Sequence, residues 1–116
     1  MGEFAFPRDL HLKKPSDFRA VFDRGAKRHT KAFILFRAAN ALDRPRLGVS
    51  VSRKIGGAVV RNRVKRLVRE AFRTHWLAWG LTGVDLVVIA KRGADALDYQ
   101  GVSREFSGGL TLRSRQ

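Results

Sequence analysis

Hydrophobic positions recur with a helical period most clearly between residues 58 and 73. Val60, Val64, Leu67, Val68, Ala71 and Phe72 fall at i, i+4, i+7, i+8, i+11 and i+12. That spacing puts all six on one face of a helix. The pattern predicts a helix from about Val59 to Trp76, ending before Gly80. A shorter helix is expected after Pro15, with Ser16 as N-cap and Asp17 in the first turn. Phe18, Val21 and Phe22 share its face, and Gly25 stops it.

Two stretches carry the two-residue period of strands. In Lys31–Ala39, Phe33 and Leu35 point one way and Ile34 and Phe36 the other. A strand apolar on both faces is central in a sheet or lines a cleft. In Arg46–Ser52, Leu47, Val49 and Val51 alternate with Gly48, Ser50 and Ser52. The small-residue face leaves room for another surface to approach closely. The two strands read as an antiparallel hairpin, and Ala26–Thr30 before them as a polar connector. VDLVVIA, after Gly83, reads as a buried strand. Tyr99, Val102, Phe106 and Leu110 are spaced as in a final amphipathic helix, within which Gly101, Gly108 and Gly109 each cost about 1 kcal/mol.

The order is helix, strand, strand, crossover helix, strand, helix. It predicts an α+β fold, a small mostly antiparallel or mixed sheet with helices over one face. A length of 116 residues fits a single domain, with residues 1–8 an irregular arm and 111–116 a flexible basic tail.

Charge changes the picture of the long helix. The chain carries 24 Lys and Arg against 10 Asp and Glu, a formal charge of +14. From Arg53 to Arg73 there are eight basic residues and one acidic residue, Glu70. Arg61, Lys65, Arg69 and Arg73 form a row at i,i+4 spacing, where like charges repel by a few tenths of a kcal/mol. A merely solvated helix face is the plain alternative, but such faces normally mix signs. A large anionic partner relieves the repulsion, and nucleic acid fits better than a membrane because no long apolar run exists. No cysteine is present, and the N-terminus lacks the order of a signal peptide, which fits a cytoplasmic protein.

No catalytic set is legible. His11, His29 and His75 lie far apart, and no metalloprotease, phosphate-loop or nucleophile-elbow motif occurs. Asp17, Asp23, Asp85, Asp95 and Asp98 read as caps, turns and ion-pair partners rather than metal ligands. A nuclease acting alone normally needs clustered carboxylates for its metals. By this route the chain reads as a nucleic-acid binder rather than a self-sufficient enzyme, and a generic RNA-binding or ribosome-associated protein is one reading left open.

The stretch Leu47–Phe72, LGVSVSRKIGGAVVRNRVKRLVREAF, closely resembles the signature of the bacterial ribonuclease P protein subunit. LKKPSDFRAVFDRGAK, residues 12–27, resembles that family's first helix, and KAFILF its first long strand. The resemblance covers roughly residues 9–107. It implies the protein subunit of an endoribonuclease in which a catalytic RNA carries the chemistry and removes the 5′ leader of precursor tRNA. Magnesium is required by the ribonucleoprotein, with no cofactor expected on the protein itself. The implied partners are ribonuclease P RNA and precursor tRNA, with no membrane and no obligate protein partner. By resemblance, Arg61, Asn62, Arg63, Lys65, Arg66, Arg69 and Arg73 face the catalytic RNA. The cleft between the first helix and the sheet receives the leader, through Phe18, Phe22, Ile34 and Phe36, with Lys13, Lys14, Ser50, Ser52, Arg53 and Lys54 around them. Filling of the core by the same phenylalanines is the competing reading. The resemblance also implies a left-handed strand–helix–strand crossover, against the ordinary right-handed preference.

Overall fold

The computed structural model describes residues 10–12 and 14–110. Helix α1 spans Pro15–Arg24, and strands β1, β2 and β3 span Ala26–His29, Phe33–Ala39 and Arg46–Ser50. Helix α2 spans Ala58–His75, β4 Val84–Ala90 and α3 Tyr99–Leu110, with a 3-10 turn at Ala94–Ala96. The sheet order is β1-β2-β4-β3. β1–β2 and β2–β4 are antiparallel and β3–β4 is parallel, so the sheet is mixed as expected.

The hairpin expected from β2 and β3 is not formed, because β4 lies between them. VDLVVIA is apolar on both faces, which only a central strand covered on both sides can bury. A polar clamp holds it there. Asp85, at the start of β4, accepts from Arg46 Nε at 2.9 Å and Nη2 at 2.8 Å, and from Asn40 Nδ2 at 2.8 Å. Thus one buried carboxylate joins the end of β2 and the start of β3 from the strand that separates them. The chain returns from β3 to its parallel neighbour through α2, the kind of crossover a parallel pair requires.

Helices pack on both faces of the sheet, not one, though α1 covers its face only in part. Register places Leu35, Val88 and Val49 side by side on one face and Phe36, Val87 and Gly48 on the other. The first face builds the main core with Val64, Val68, Ala71 and Phe72 of α2 and Val102, Phe106 and Leu110 of α3. On the second face Val87 packs with Val21 of α1 and Leu12, and Phe18, Phe36, Ala38 and Ile89 adjoin them. Burial of these side chains, at about 25 cal/mol per Å2, is what holds both layers to the sheet.

Four local expectations change for physical reasons. The connector Ala26–Thr30 contains β1, whose four residues are all exposed and so show no apolar alternation; its backbone pairs with β2 from Ala26↔Arg37 to His29↔Ile34. Helix α1 begins at Pro15, preset for the first helical position, with Lys14 rather than Ser16 at the cap. Gly25 ends it with extended backbone (φ −78°); a Cβ there would lie 2.4 Å from the Val21 carbonyl oxygen and 3.0 Å from that of Arg37. The glycine therefore permits close approach rather than a left-handed turn. In α3, Gly109 likewise meets the sheet, where a Cβ would stand 2.9 Å from both Leu35 Cδ1 and Thr30 Cγ2. Asp98 caps this helix, accepting from the Gly101 amide at 2.8 Å.

Candidate nucleic-acid interfaces

The α1 face of the sheet leaves an aromatic and small-residue surface half open. Phe22 is 40 % exposed and meets Phe36 edge-on, with centroids 4.9 Å apart at 77°. Lys27 Nζ stands 5.7 Å over the Phe36 ring, within cation–π range. One register step along the strands, Ile34, Ile89 and Ser50 form a row across β2, β4 and β3. The isoleucines are half-buried and Ser50 is exposed. The Gly48 position is filled from within, because a Cβ there would lie 2.6 Å from Phe18 Cζ. So the close approach foreseen for the small-residue face is made at Gly48 by α1 itself, while Ser50 and Ser52 stay exposed.

Of the residues predicted for this cleft, Phe18, Phe22, Ile34, Phe36 and Ser50 come to the α1 face. Phe18 and Phe36 are half-buried against the small cluster beneath α1, so neither is wholly core nor wholly free. Lys14 is exposed at the start of α1, and Ser52, Arg53 and Lys54 are exposed where β3 leads into α2. Lys13 lies outside the described residues. Sequence reasoning missed Ile89 and Lys27. Ile89 was detectable from the alternation of Asp85, Val87 and Ile89 with Leu86, Val88 and Ala90. Lys27 was hidden because β1 itself was.

On the other side of the sheet, α2 presents its cations. Asn62, Arg63 and Arg66 are exposed, and Arg61, Lys65, Arg69 and Arg73 half-buried. Among the described residues, Arg61, Lys65, Arg66 and Arg69 have no carboxylate partner. Two members of the predicted set are engaged within the protein. Arg73 grips Glu70 through Nε at 3.2 Å and Nη2 at 2.6 Å, and this hydrogen bonding holds the Glu70 carboxyl below its ordinary range. Arg63 donates to the carbonyls of Asp95 and Leu97, each at 3.1 Å, tying the segment before α3 to α2. The repelling row is thus relieved at Arg73 and unrelieved at Arg61, Lys65 and Arg69. By contrast Arg46, on the sheet, is satisfied, and its hydrogen bonds to Asp85 raise its guanidinium further above the ordinary value. Among the described residues no three His, Asp or Glu side chains gather to hold a metal, and no helix is long and apolar enough to cross a membrane.

A family model described as Ribonuclease P matches residues 6–112. The chain belongs to the ribonuclease P protein family. It is 44 % identical over 110 residues to the ribonuclease P protein component of Desulfovibrio desulfuricans, covering 90 % of this chain and 83 % of that one. Among solved structures, the RNase P protein of Staphylococcus aureus superposes with a TM-score of 0.78 at 31 % identity, over 87 % of this chain and 92 % of that one. The Thermotoga maritima RNase P protein gives 0.78 at 31 %, over 87 % and 94 %. Membership makes the chain a protein component of an endoribonuclease, partnered with ribonuclease P RNA, and sets aside the generic RNA-binding alternative.

Proposed function

We propose that the chain serves its ribonucleoprotein through two separate RNA surfaces, one on each side of the sheet. On the α2 side, Arg61, Asn62, Arg63, Lys65, Arg66, Arg69 and Arg73 engage the ribonuclease P RNA. On the α1 side, Phe18, Phe22, Ile34 and Phe36 receive the single-stranded 5′ leader of precursor tRNA. Lys13, Lys14, Ser50, Ser52, Arg53 and Lys54 complete that cleft, and we add Lys27 and Ile89. The observation that carries the reading is the segregation of two chemistries: cations without carboxylate partners on α2, half-exposed aromatics beside α1. Phosphates neutralise the first, while bases stack on the second, each worth about 1–3 kcal/mol. Magnesium is required by the ribonucleoprotein in this reading. The same reading puts the chain in the cytoplasm, with precursor tRNA.

Reconstitution with bacterial ribonuclease P RNA and precursor tRNA at low magnesium tests it. Charge removal at Arg61, Lys65 and Arg69 is expected to weaken binding of the catalytic RNA and lower the salt slope by about one per lost phosphate contact. Phe22→Ala with Phe36→Ala is expected to abolish the preference for substrates with a leader while leaving catalytic-RNA affinity unchanged. An unaltered salt slope in the first variant overturns the α2 surface. An unaltered leader preference in the second overturns the cleft.

A further inference from the structure

Between α2 and the start of α3 lies a cavity of about 290 Å3, lined by Arg66, Leu67, Glu70 and Tyr99. Its walls are tied in place. The bonds from Arg63 to the Asp95 and Leu97 carbonyls fix the segment leading into Tyr99. The Tyr99 hydroxyl lies 2.6 Å from Thr74 Oγ1, and Thr74 is itself anchored to the Glu70 carbonyl at 2.9 Å. Behind Tyr99 sits His75, its ring 6.2 Å away, and Trp79 stacks on His75 at 5.1 Å and 16°. Glu70 is ionised and held by Arg73, so within the cavity it can only accept hydrogen bonds. Arg66 is exposed and without a carboxylate partner among the described residues.

The cavity therefore offers an aromatic ring, an aliphatic wall, a planar cation and one fixed acceptor. Its volume is at the lower end of the roughly 300–1,000 Å3 of ligand pockets, suited to one ring system. Glu70, already paired with Arg73, leaves an acceptor suited to a donor group on a neutral ring. The unpaired cations of α2 beside it bring the backbone of a polyanion close. Sequence-specific RNA recognition works by splaying a base out onto aromatic and guanidinium planes and reading its edge.

We propose that this cavity seats one unstacked nucleobase of the ribonuclease P RNA, stacked on Tyr99, flanked by Arg66, and donating from an exocyclic amino group to Glu70. The proposal rests on the reading that α2 faces the catalytic RNA, and makes part of that contact sensitive to base identity. Uracil has only its ring N3–H on that edge and lacks the amino group this contact requires.

The protein reconstituted with bacterial ribonuclease P RNA provides the test. Tyr99→Leu keeps an apolar wall but removes the platform, and is expected to weaken binding roughly 10-fold, the worth of one stacked base. Tyr99→Phe keeps the ring and is expected to bind within about twofold of the native chain, by the same stacking argument. Stacking releases no counterions, so both variants retain the native salt slope. That separates this proposal from the phosphate contacts of α2, whose failure shows as an unchanged slope in the Arg61, Lys65 and Arg69 variant. Ultraviolet cross-linking of the native complex, read by mass spectrometry, is expected to join Tyr99 to a single adenine, cytosine or guanine. This readout needs no variant to fold. Native affinity in folded Tyr99→Leu, or a native complex in which Tyr99 cross-links to no nucleotide or to uracil, overturns the proposal.

Discussion

The two faces of the sheet use the same residue types to different ends. On the α2–α3 face, Phe33, Phe72 and Phe106 are fully buried, and Phe33 and Phe106 pack edge to face at 5.0 Å. On the α1 face, Phe22 and Phe36 adopt the same edge-to-face geometry at 4.9 Å, yet Phe22 is 40 % exposed. Geometry alone does not separate a core pair from a binding pair; what lies above the rings does. Two helices seal one face, while the ten residues of α1 span too little of the other to cover it. A single strand, β2, feeds both faces by alternation, so stability and recognition are coupled through one backbone.

The contrast is broken most directly by truncating one ring from each face. Phe106→Ala is expected to cost about 3–5 kcal/mol in urea unfolding. Phe36→Ala, already partly in water, is expected to cost about 1–2 kcal/mol, and to show its main effect on leader binding. Equal stability losses would remove the distinction. The polar clamp comes next. Asp85→Ala removes both close hydrogen bonds of Arg46 and leaves it only the longer contact to Asp17 at 3.7 Å, and an expected loss of about 3 kcal/mol is readable by thermal unfolding. A smaller effect separates two adjacent glycines. Gly109→Ala must push Leu35 and Thr30, and Thr30 is clamped to Glu105 at 2.7 Å, so a net loss of about 1 kcal/mol is expected. Gly108→Ala meets nothing within 4 Å and is expected to gain about 0.5–1 kcal/mol from helix propensity.

The smallest expected effect lies at Glu70. Its carboxyl is lowered from 4.5 by the Arg73 hydrogen bonds, so the folded state binds its proton less readily than the unfolded chain. The pair's contribution is present above pH 4.5 and lost as pH falls through the lowered value. The pair is partly exposed, so the loss is expected to be a few tenths of a kcal/mol. Comparing acid unfolding of the native chain with Glu70→Gln measures it, and identical profiles would show that the pair contributes nothing.

Local periodicity made α2 readable to within a residue at each end, because Val64, Val68, Ala71 and Phe72 answer to one buried face. The alternation of β2 likewise announced its two-sided role, and with it Ile34 and Phe36. Pairing was not readable. Adjacent strands in sequence suggest a hairpin, and nothing in residues 31–52 reveals that β4 will come between them. Strand β1 was invisible because an edge strand with every side chain in water leaves no apolar trace. The engagement of Arg63 with the Asp95 and Leu97 carbonyls was hidden for a related reason: its partners are backbone atoms 32 and 34 residues away. Even the role of Gly109 reversed, from helix breaker to contact point, once Leu35 was beneath it.

The place of β4 in the middle of the sheet has a consequence for how the chain is made. Strand β3 has no strand partner until Val84–Ala90 leaves the ribosome, and β2 has only the exposed edge strand β1. At roughly 5–20 residues per second, that leaves the nascent chain unable to close its sheet for several seconds. During that interval the cations of α2 are already synthesised. The fold is thus completed by its last third, and a chain released early would be a polycation with apolar strands unpaired. The sheet closes only when β4 docks between β2 and β3.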